Sequence, residues 1–306
     1  VELLLTNSGP RETVPAYGRS IVESRAGKRC GLPRACSIEE VKKATNTPLW
    51  FQLCMMRDRS YVADLMERAR SAGCSALVLT VDLAVVGARY RDTRNGMTDQ
   101  IPTAKKVVRA WDILSHPGWV LNVGVRGKPL TFGNLEAAVP GARSPAEFKD
   151  WVDGQFDPSV TWDDLAWVRQ HWPGKLVLKG ILDPEDAKEA VEVGADAIVV
   201  SNHGGRQLDE VRSTASALPL IKDAVGDRLE LLVDGGIHSG LDVVKMLALG
   251  ANACLLGRAW AYAVAGGGEE GVAHTLRIVR EEMKVAMALT GNTRIHQLGP
   301  DVLDLS

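Results

Sequence analysis

Six short apolar runs, recurring from residue 49 onward between amphipathic stretches, constrain the fold of this chain more than any other feature. They are Leu49–Leu53, Ala76–Val81, Lys175–Leu178, Ala197–Val200, Glu230–Val233 and Ala253–Leu256. Runs this short and this rich in Val, Ile and Leu read as strands buried on both faces of a parallel sheet. Arg59–Ala72, Pro184–Val193 and Leu241–Leu249, which lie between them, read as amphipathic helices. Asp183 before Pro184 is a helix-start signal. Gly73, Gly194 and Gly250 stand where a helix closes with a left-handed residue. Strand and helix in alternation predict an α/β fold. Six such units predict a (β/α)8 TIM barrel that is incomplete at its N-terminus.

The 306 residues divide into an atypical N-terminal segment, 1–36, and one barrel domain, 37–306. Leu3-Leu4-Leu5 is the only run of three apolar residues in the first segment, poor material for the two missing strands. An unclosed barrel is expected to present a sheet edge, which is an aggregation hazard. After the second strand a long insertion, about 93–160, carries Lys105, Lys106, Arg109, Trp111, Trp119, Arg126 and Lys128 among apolar residues. Basic and aromatic residues together suit a peripheral membrane contact; a lid with a solvated basic face is the other reading. The formal net charge of −2 gives no electrostatic case for nucleic acid. The five cysteines, Cys30, Cys36, Cys54, Cys74 and Cys254, lack metal-ligand spacing and read as reduced thiols. With no signal peptide at its start and no run long enough to span a bilayer, the expected location is the cytoplasm, with the inner membrane surface as an extension of it.

Candidate chemistry collects at the strand ends, the reactive face of a parallel barrel. Gln52 and Cys54 end the first strand, Thr80 and Asp82 the second, Lys179 the third, Ser201 and His203 the fourth. Asp234-Gly235-Gly236 follows the fifth and Gly257-Arg258 the sixth. Two glycine-rich turns at consecutive strand ends suit a phosphate held by backbone N–H groups, with Arg258 adding a charge-assisted bond. No dinucleotide-binding or P-loop pattern follows a strand. In Ser201-Asn202-His203-Gly204-Gly205-Arg206-Gln207-Leu208-Asp209, His203 can move a proton near neutral pH and Arg206 can hold a carboxylate in two-pronged fashion. Asp82 could face His203 and favour the imidazolium, or be a turn residue only. Arg89 is a second guanidinium for an anionic substrate, or half of a surface ion pair. Lys179 ends an apolar strand, and a charge on a ligand would explain its burial.

These residues resemble the FMN-dependent 2-hydroxy-acid dehydrogenases and oxidases. Ser201–Asp209 is similar to that family's active-site signature, and Phe51-Gln52-Leu53, Thr80-Val81-Asp82, Leu178-Lys179-Gly180, Asp234-Gly235-Gly236 and Gly257-Arg258 match its other motifs in order. Pro117-Gly118-Trp119, Thr131-Phe132-Gly133-Asn134 and Gln155-Phe156-Asp157-Pro158 look most like the bacterial respiratory L-lactate dehydrogenase branch. The resemblance implies FMN as cofactor and oxidation of a small (S)-2-hydroxy acid, foremost L-lactate, with electrons passed to a quinone or cytochrome. It implies His203 as the base, Asp82 as its partner, and Arg206 and Arg89 on the substrate carboxylate. Lys179 is then expected at the flavin N1/O2 edge, Gln52, Thr80 and Ser201 on the flavin, and Asp234, Gly235, Gly236, Gly257 and Arg258 on ribityl and phosphate. A homo-oligomer is also implied. Cys54 stands where the family has a substrate-facing Tyr, and a thiol is a poor donor. Residues 1–36 do not resemble the family's first strand. A flavin-binding but catalytically impaired protein and an oxygen-using oxidase are therefore the alternatives.

Overall fold

The computed structural model describes residues 3–6, 37–45, 48–90, 94, 103–121, 133–135, 138–139 and 151–304. In chain order the elements that carry the argument are β1 (Leu3–Thr6), α1 (Ile38–Ala44), β2 (Leu49–Cys54), α2 (Arg59–Ser71), β3 (Cys74–Thr80) and α3 (Thr103–Ser115). They continue with α4 (Trp162–His171), β4 (Lys175–Ile181), α5 (Pro184–Glu192), β5 (Ala197–Val200), α6 (Thr214–Val225), β6 (Glu230–Val233), α7 (Gly240–Ala248), β7 (Ala253–Leu256) and α8 (Arg258–Leu289). One sheet runs β1-β7-β6-β5-β4-β3-β2. Strands β2 to β7 are parallel, as the alternation predicts.

All six apolar runs form strands. The second begins earlier than expected, at Cys74, and the third runs on to Ile181. The helix signals hold as well. The Asp183 side chain accepts from the Glu185 N–H with Pro184 at the start of α5, and Gly73, Gly194 and Gly250 all take positive φ. Among the described residues the barrel is incomplete, as expected, but Leu3-Leu4-Leu5 is used. It forms β1, which pairs antiparallel with β7 and so covers one edge of the parallel sheet. An edge strand needs only backbone partners, which explains why so short a run suffices. The rest of the segment 1–36, with Cys30 and Cys36, lies outside the described residues, as do Arg126 and Lys128 and the side chains of Lys105, Lys106, Arg109 and Trp119.

The two-residue period of a strand sorts its side chains onto two faces. Leu77 and Leu79 of β3, Leu176 and Leu178 of β4, Ile198 and Val200 of β5, and Leu231 and Val233 of β6 enter the main core with the helices. Their neighbours Val78, Val177, Ala197, Val199, Leu232, Ala253 and Leu255 form a second, smaller cluster with Trp50 on the opposite, inner face. That inner cluster is the floor from which the next residue of the same parity on each strand projects.

The return of the insertion is stitched to the loop after β2. Met56 and Phe156 form an isolated bridge, the Arg57 N–H donates to the Gln155 carbonyl at 2.9 Å, and Arg59 pairs with Asp157 at 2.8 Å and Asp164 at 2.9 Å. Earlier in the insertion, Asn134 accepts from the Ile38 N–H at 2.9 Å and so anchors it to the start of α1.

Leu178 lies at the middle of the main core and is 0% exposed. Leu178→Ala is expected to destabilise the protein by about 2–5 kcal/mol, the range for a buried leucine cavity. A urea midpoint unchanged from wild type would contradict this placement.

Candidate active site

The inner face carries the polar residues one pleat beyond the apolar floor. Gln52 and Cys54 follow Trp50, Thr80 follows Val78, Lys179 follows Val177, Ser201 follows Val199, and Asp234 follows Leu232. Parity alone therefore turns them toward one volume, and the register sets Cys54 opposite Thr80 and Thr80 opposite Lys179.

Lys179 is buried, at 1% exposure, beside Ser201 at 0%. Its Nζ donates to Ser201 Oγ at 2.9 Å and forms an ion pair with Asp234. The sequence reading assigned the counter-charge of Lys179 to a ligand; the protein itself supplies it, from β6. Ser201 Oγ also accepts from the His203 N–H at 3.1 Å. Asp234 gives one oxygen to Lys179, and its other, Oδ1, is buried with no hydrogen-bond partner among the described residues. A buried acceptor left open costs roughly 1–3 kcal/mol unless something donates to it. Beside it, Gly235 and Gly236 take φ of +85° and +77°, and a Cβ on Gly236 would meet nothing within 4 Å. An open acceptor beside a buried ammonium, followed by a glycine turn with open space at Gly236, fits the hydroxyl-bearing chain and phosphate of FMN.

At the other end of the row, Gln52 Nε2 donates to Thr80 Oγ1 at 2.9 Å. Cys54 lies beside Thr80, and burial pushes its thiol up to about 11, with the Asp82 carboxylate acting in the same direction. At neutral pH the group is a thiol and not a thiolate.

His203 and Asp82 come from loops 121 positions apart and meet as expected. His203 Nδ1 lies 3.1 Å and 3.2 Å from the two Asp82 oxygens, and both side chains are mostly buried. With Nδ1 turned to the carboxylate, Nε2 is the nitrogen left to exchange a proton with a substrate. His203 takes φ +54°, a left-handed conformation uncommon outside glycine, while its N–H is held by Ser201. Gly180, in the bulge of β4, makes room for this pair. A Cβ there would stand 2.7 Å from Asp82 Cβ and Cγ. Glycine inside a strand pattern signals such a close approach.

Arg89 and Arg206 are brought together through the backbone: Arg89 Nε donates to the Arg206 carbonyl at 3.4 Å. Arg206 is exposed and Arg89 half-buried. Gly257 precedes α8, and Arg258, its first residue, donates from Nη2 to the Gly204 carbonyl at 3.3 Å. That contact links the last glycine-rich turn to the His203 loop. Gly180, Asn202 and Gln207 stand in the motifs of the sequence but receive no role from the sequence alone. Asn202 Oδ1 accepts from the Gly204 N–H at 3.0 Å and shapes the turn after β5.

A sequence model of the FMN-dependent dehydrogenase family matches residues 29–305. An L-lactate dehydrogenase of Caulobacter sp. (strain K31) is 50% identical over 286 residues, covering 92% of this chain and 74% of that protein. An L-lactate dehydrogenase of Yersinia pestis (strain Pestoides F) is 47% identical over 306 residues, covering 97% of this chain and 80% of that one. Among solved structures, the monotopic membrane protein (S)-mandelate dehydrogenase superposes with a TM-score of 0.81 at 33% identity, covering 94% of this chain and 79% of that one. Mandelate oxidase with (S)-4-hydroxymandelic acid superposes with a TM-score of 0.70 at 36% identity, covering 94% of this chain and 79% of that one.

A thiol held near 11 reacts slowly with alkylating agents, because only the thiolate attacks. Carbamidomethylation of Cys54, followed by peptide mass spectrometry, is expected to accelerate about tenfold per pH unit between pH 7 and 10. A rate at pH 8 equal to that of free cysteine would contradict the raised thiol.

Proposed function

The chain belongs to the FMN-dependent dehydrogenase family, and from that footing we propose that it oxidises L-lactate to the 2-oxo acid with His203 as the base. The observation that carries this reading is the contact of His203 Nδ1 with both Asp82 oxygens, at 3.1 Å and 3.2 Å, at the end of the row built on Lys179. FMN, when bound, supplies the two-electron oxidant that no side chain here provides.

The remaining roles follow from what each residue can donate or accept. Lys179, Gln52, Thr80 and Ser201 hold the ring system, with the Lys179 ammonium favouring negative charge beside it. Asp234, Gly235, Gly236, Gly257 and Arg258 hold the ribityl chain and phosphate. Arg206 and Arg89 bind the substrate carboxylate and orient the hydroxyl-bearing carbon. Nε2 of His203 takes the substrate proton, and the Asp82 carboxylate stabilises the resulting imidazolium. Cys54 lines the substrate side as a weak donor. Electrons then pass to a quinone or cytochrome, a reading supported by the likeness of the insertion motifs to the respiratory branch.

The proposal extends to a peripheral membrane contact. Along α3, Val107, Val108, Trp111 and Leu114 are all exposed, Trp111 by 75%. Their spacing gathers them on one side of the helix, which suits insertion at the lipid boundary. Among the described residues no helix is long and apolar enough to cross a membrane. A homo-oligomer completes the proposal and is read out by sedimentation velocity.

The decisive experiment is an anaerobic visible spectrum of the FMN-loaded protein before and after L-lactate, then (S)-mandelate. Bleaching of the flavin bands by L-lactate is expected. His203→Ala should slow that reduction by about 10²–10⁴-fold, the scale of general-base catalysis, with FMN still bound. Bound flavin that no 2-hydroxy acid reduces would favour the impaired reading that Cys54 motivates. Oxygen uptake matching substrate oxidation would replace the quinone or cytochrome acceptor.

For the membrane contact, the wild-type protein is expected to co-sediment with anionic phospholipid vesicles and Trp111→Ser to do so several-fold less. Equal sedimentation of the two would remove α3 from the contact.

A further inference from the structure

We infer that Gln207 is a positioning residue, which sets Arg89 and the Asp82 segment against the His203 loop by using both ends of its carboxamide. This rests on the reading of Arg89 as a substrate-carboxylate ligand. Gln207 Oε1 accepts from Arg89 Nη2 at 2.9 Å. Its Nε2 donates to the Val85 carbonyl at 2.8 Å and to the Asp82 carbonyl at 3.4 Å. Guanidinium can only donate and a backbone carbonyl can only accept, so this network admits one orientation of the amide.

The three contacts fall along a single segment, 82–89, which carries the partner of the base at one end and a substrate arginine at the other. The backbones are also brought unusually close. A Cβ on Gly87 would stand 2.4 Å from the Arg206 carbonyl oxygen and 2.7 Å from Gln207 Cα, so this crossing requires glycine. Apolar packing contributes little here, since Val85 is 60% and Leu208 68% exposed. Polar contacts therefore carry the register of the two loops. Arg206 and Gln207 are neighbours in sequence, so one loop supplies a carboxylate ligand directly and places a second through the amide beside it.

The test uses the FMN-loaded protein and 2-hydroxy-2-methylpropanoate, a substrate analogue with no α-hydrogen to lose. Binding is followed by perturbation of the flavin spectrum, alongside the Kd for FMN itself. Gln207→Leu keeps the size and removes both polar ends. It is expected to weaken the analogue about tenfold, with FMN affinity unchanged. Gln207→Glu keeps the acceptor for Arg89 but loses the donor to the Val85 and Asp82 carbonyls, so it should recover only part of that loss. In an Arg89→Ala background, Gln207→Leu should add less than about twofold, because residues acting through one another are not additive. A full tenfold loss in that background, or tight wild-type binding unchanged by Gln207→Leu, overturns the inference alone. Failure of the wild-type protein to bind the analogue overturns it together with the substrate reading.

Discussion

The buried ion pair between Lys179 and Asp234 is the contact on which the site depends. It joins the ends of β4 and β6 across β5, and Ser201 at the end of β5 accepts from the same ammonium. Three adjacent strands are thereby held at one level. Two charges this deep cost several kcal/mol of desolvation each, and a pair of apolar side chains would stabilise the sheet as well or better. The proposed function explains its presence by chemistry: an ammonium and an unshared carboxylate oxygen are kept dry beside the place proposed for the flavin.

Everything around that pair follows from the pleat. One set of alternate residues faces the helices and forms the main core. The other set forms a thin apolar floor on the inner face, and the polar row stands one pleat above it. A shift of a single residue in any of these strands would exchange core and site. The same constraint accounts for Gly180. The bulge in β4 lets Lys179 keep its inward direction while Asp82 approaches from the next strand, and only a residue without Cβ fits between them.

The fold was largely legible, because short apolar runs between amphipathic helices leave few alternatives to a parallel sheet. All six parallel strands were read, and the helix caps at Asp183, Gly73, Gly194 and Gly250 were correct since capping is local chemistry. The role of Leu3-Leu4-Leu5 was not legible. An antiparallel edge strand is recruited through backbone hydrogen bonds, and these leave no side-chain pattern to read. In the site, His203 and Asp82 were expected to meet and do. The intramolecular partner of Lys179 was not foreseen because Asp234 is 55 positions away, and only the sheet order brings β6 within reach of β4. Gln207 went unread for a similar reason: an amide at a loop position acquires meaning only from the segment that crosses it.

By itself the sequence determined the types and order of the elements and the faces that its strands bury, since period and capping depend on near neighbours. It also determined which residues are able to hold a carboxylate, a phosphate or a proton. The tertiary structure decided which of those residues act on one another: Lys179 on Asp234, His203 on Asp82, Gln207 on Arg89. Each such pairing joins positions far apart in the chain, at distances of about 3 Å over which hydrogen bonds either form or do not. Those distances are set by strand order, register and a few glycine crossings, none of which is encoded at the residues that use them.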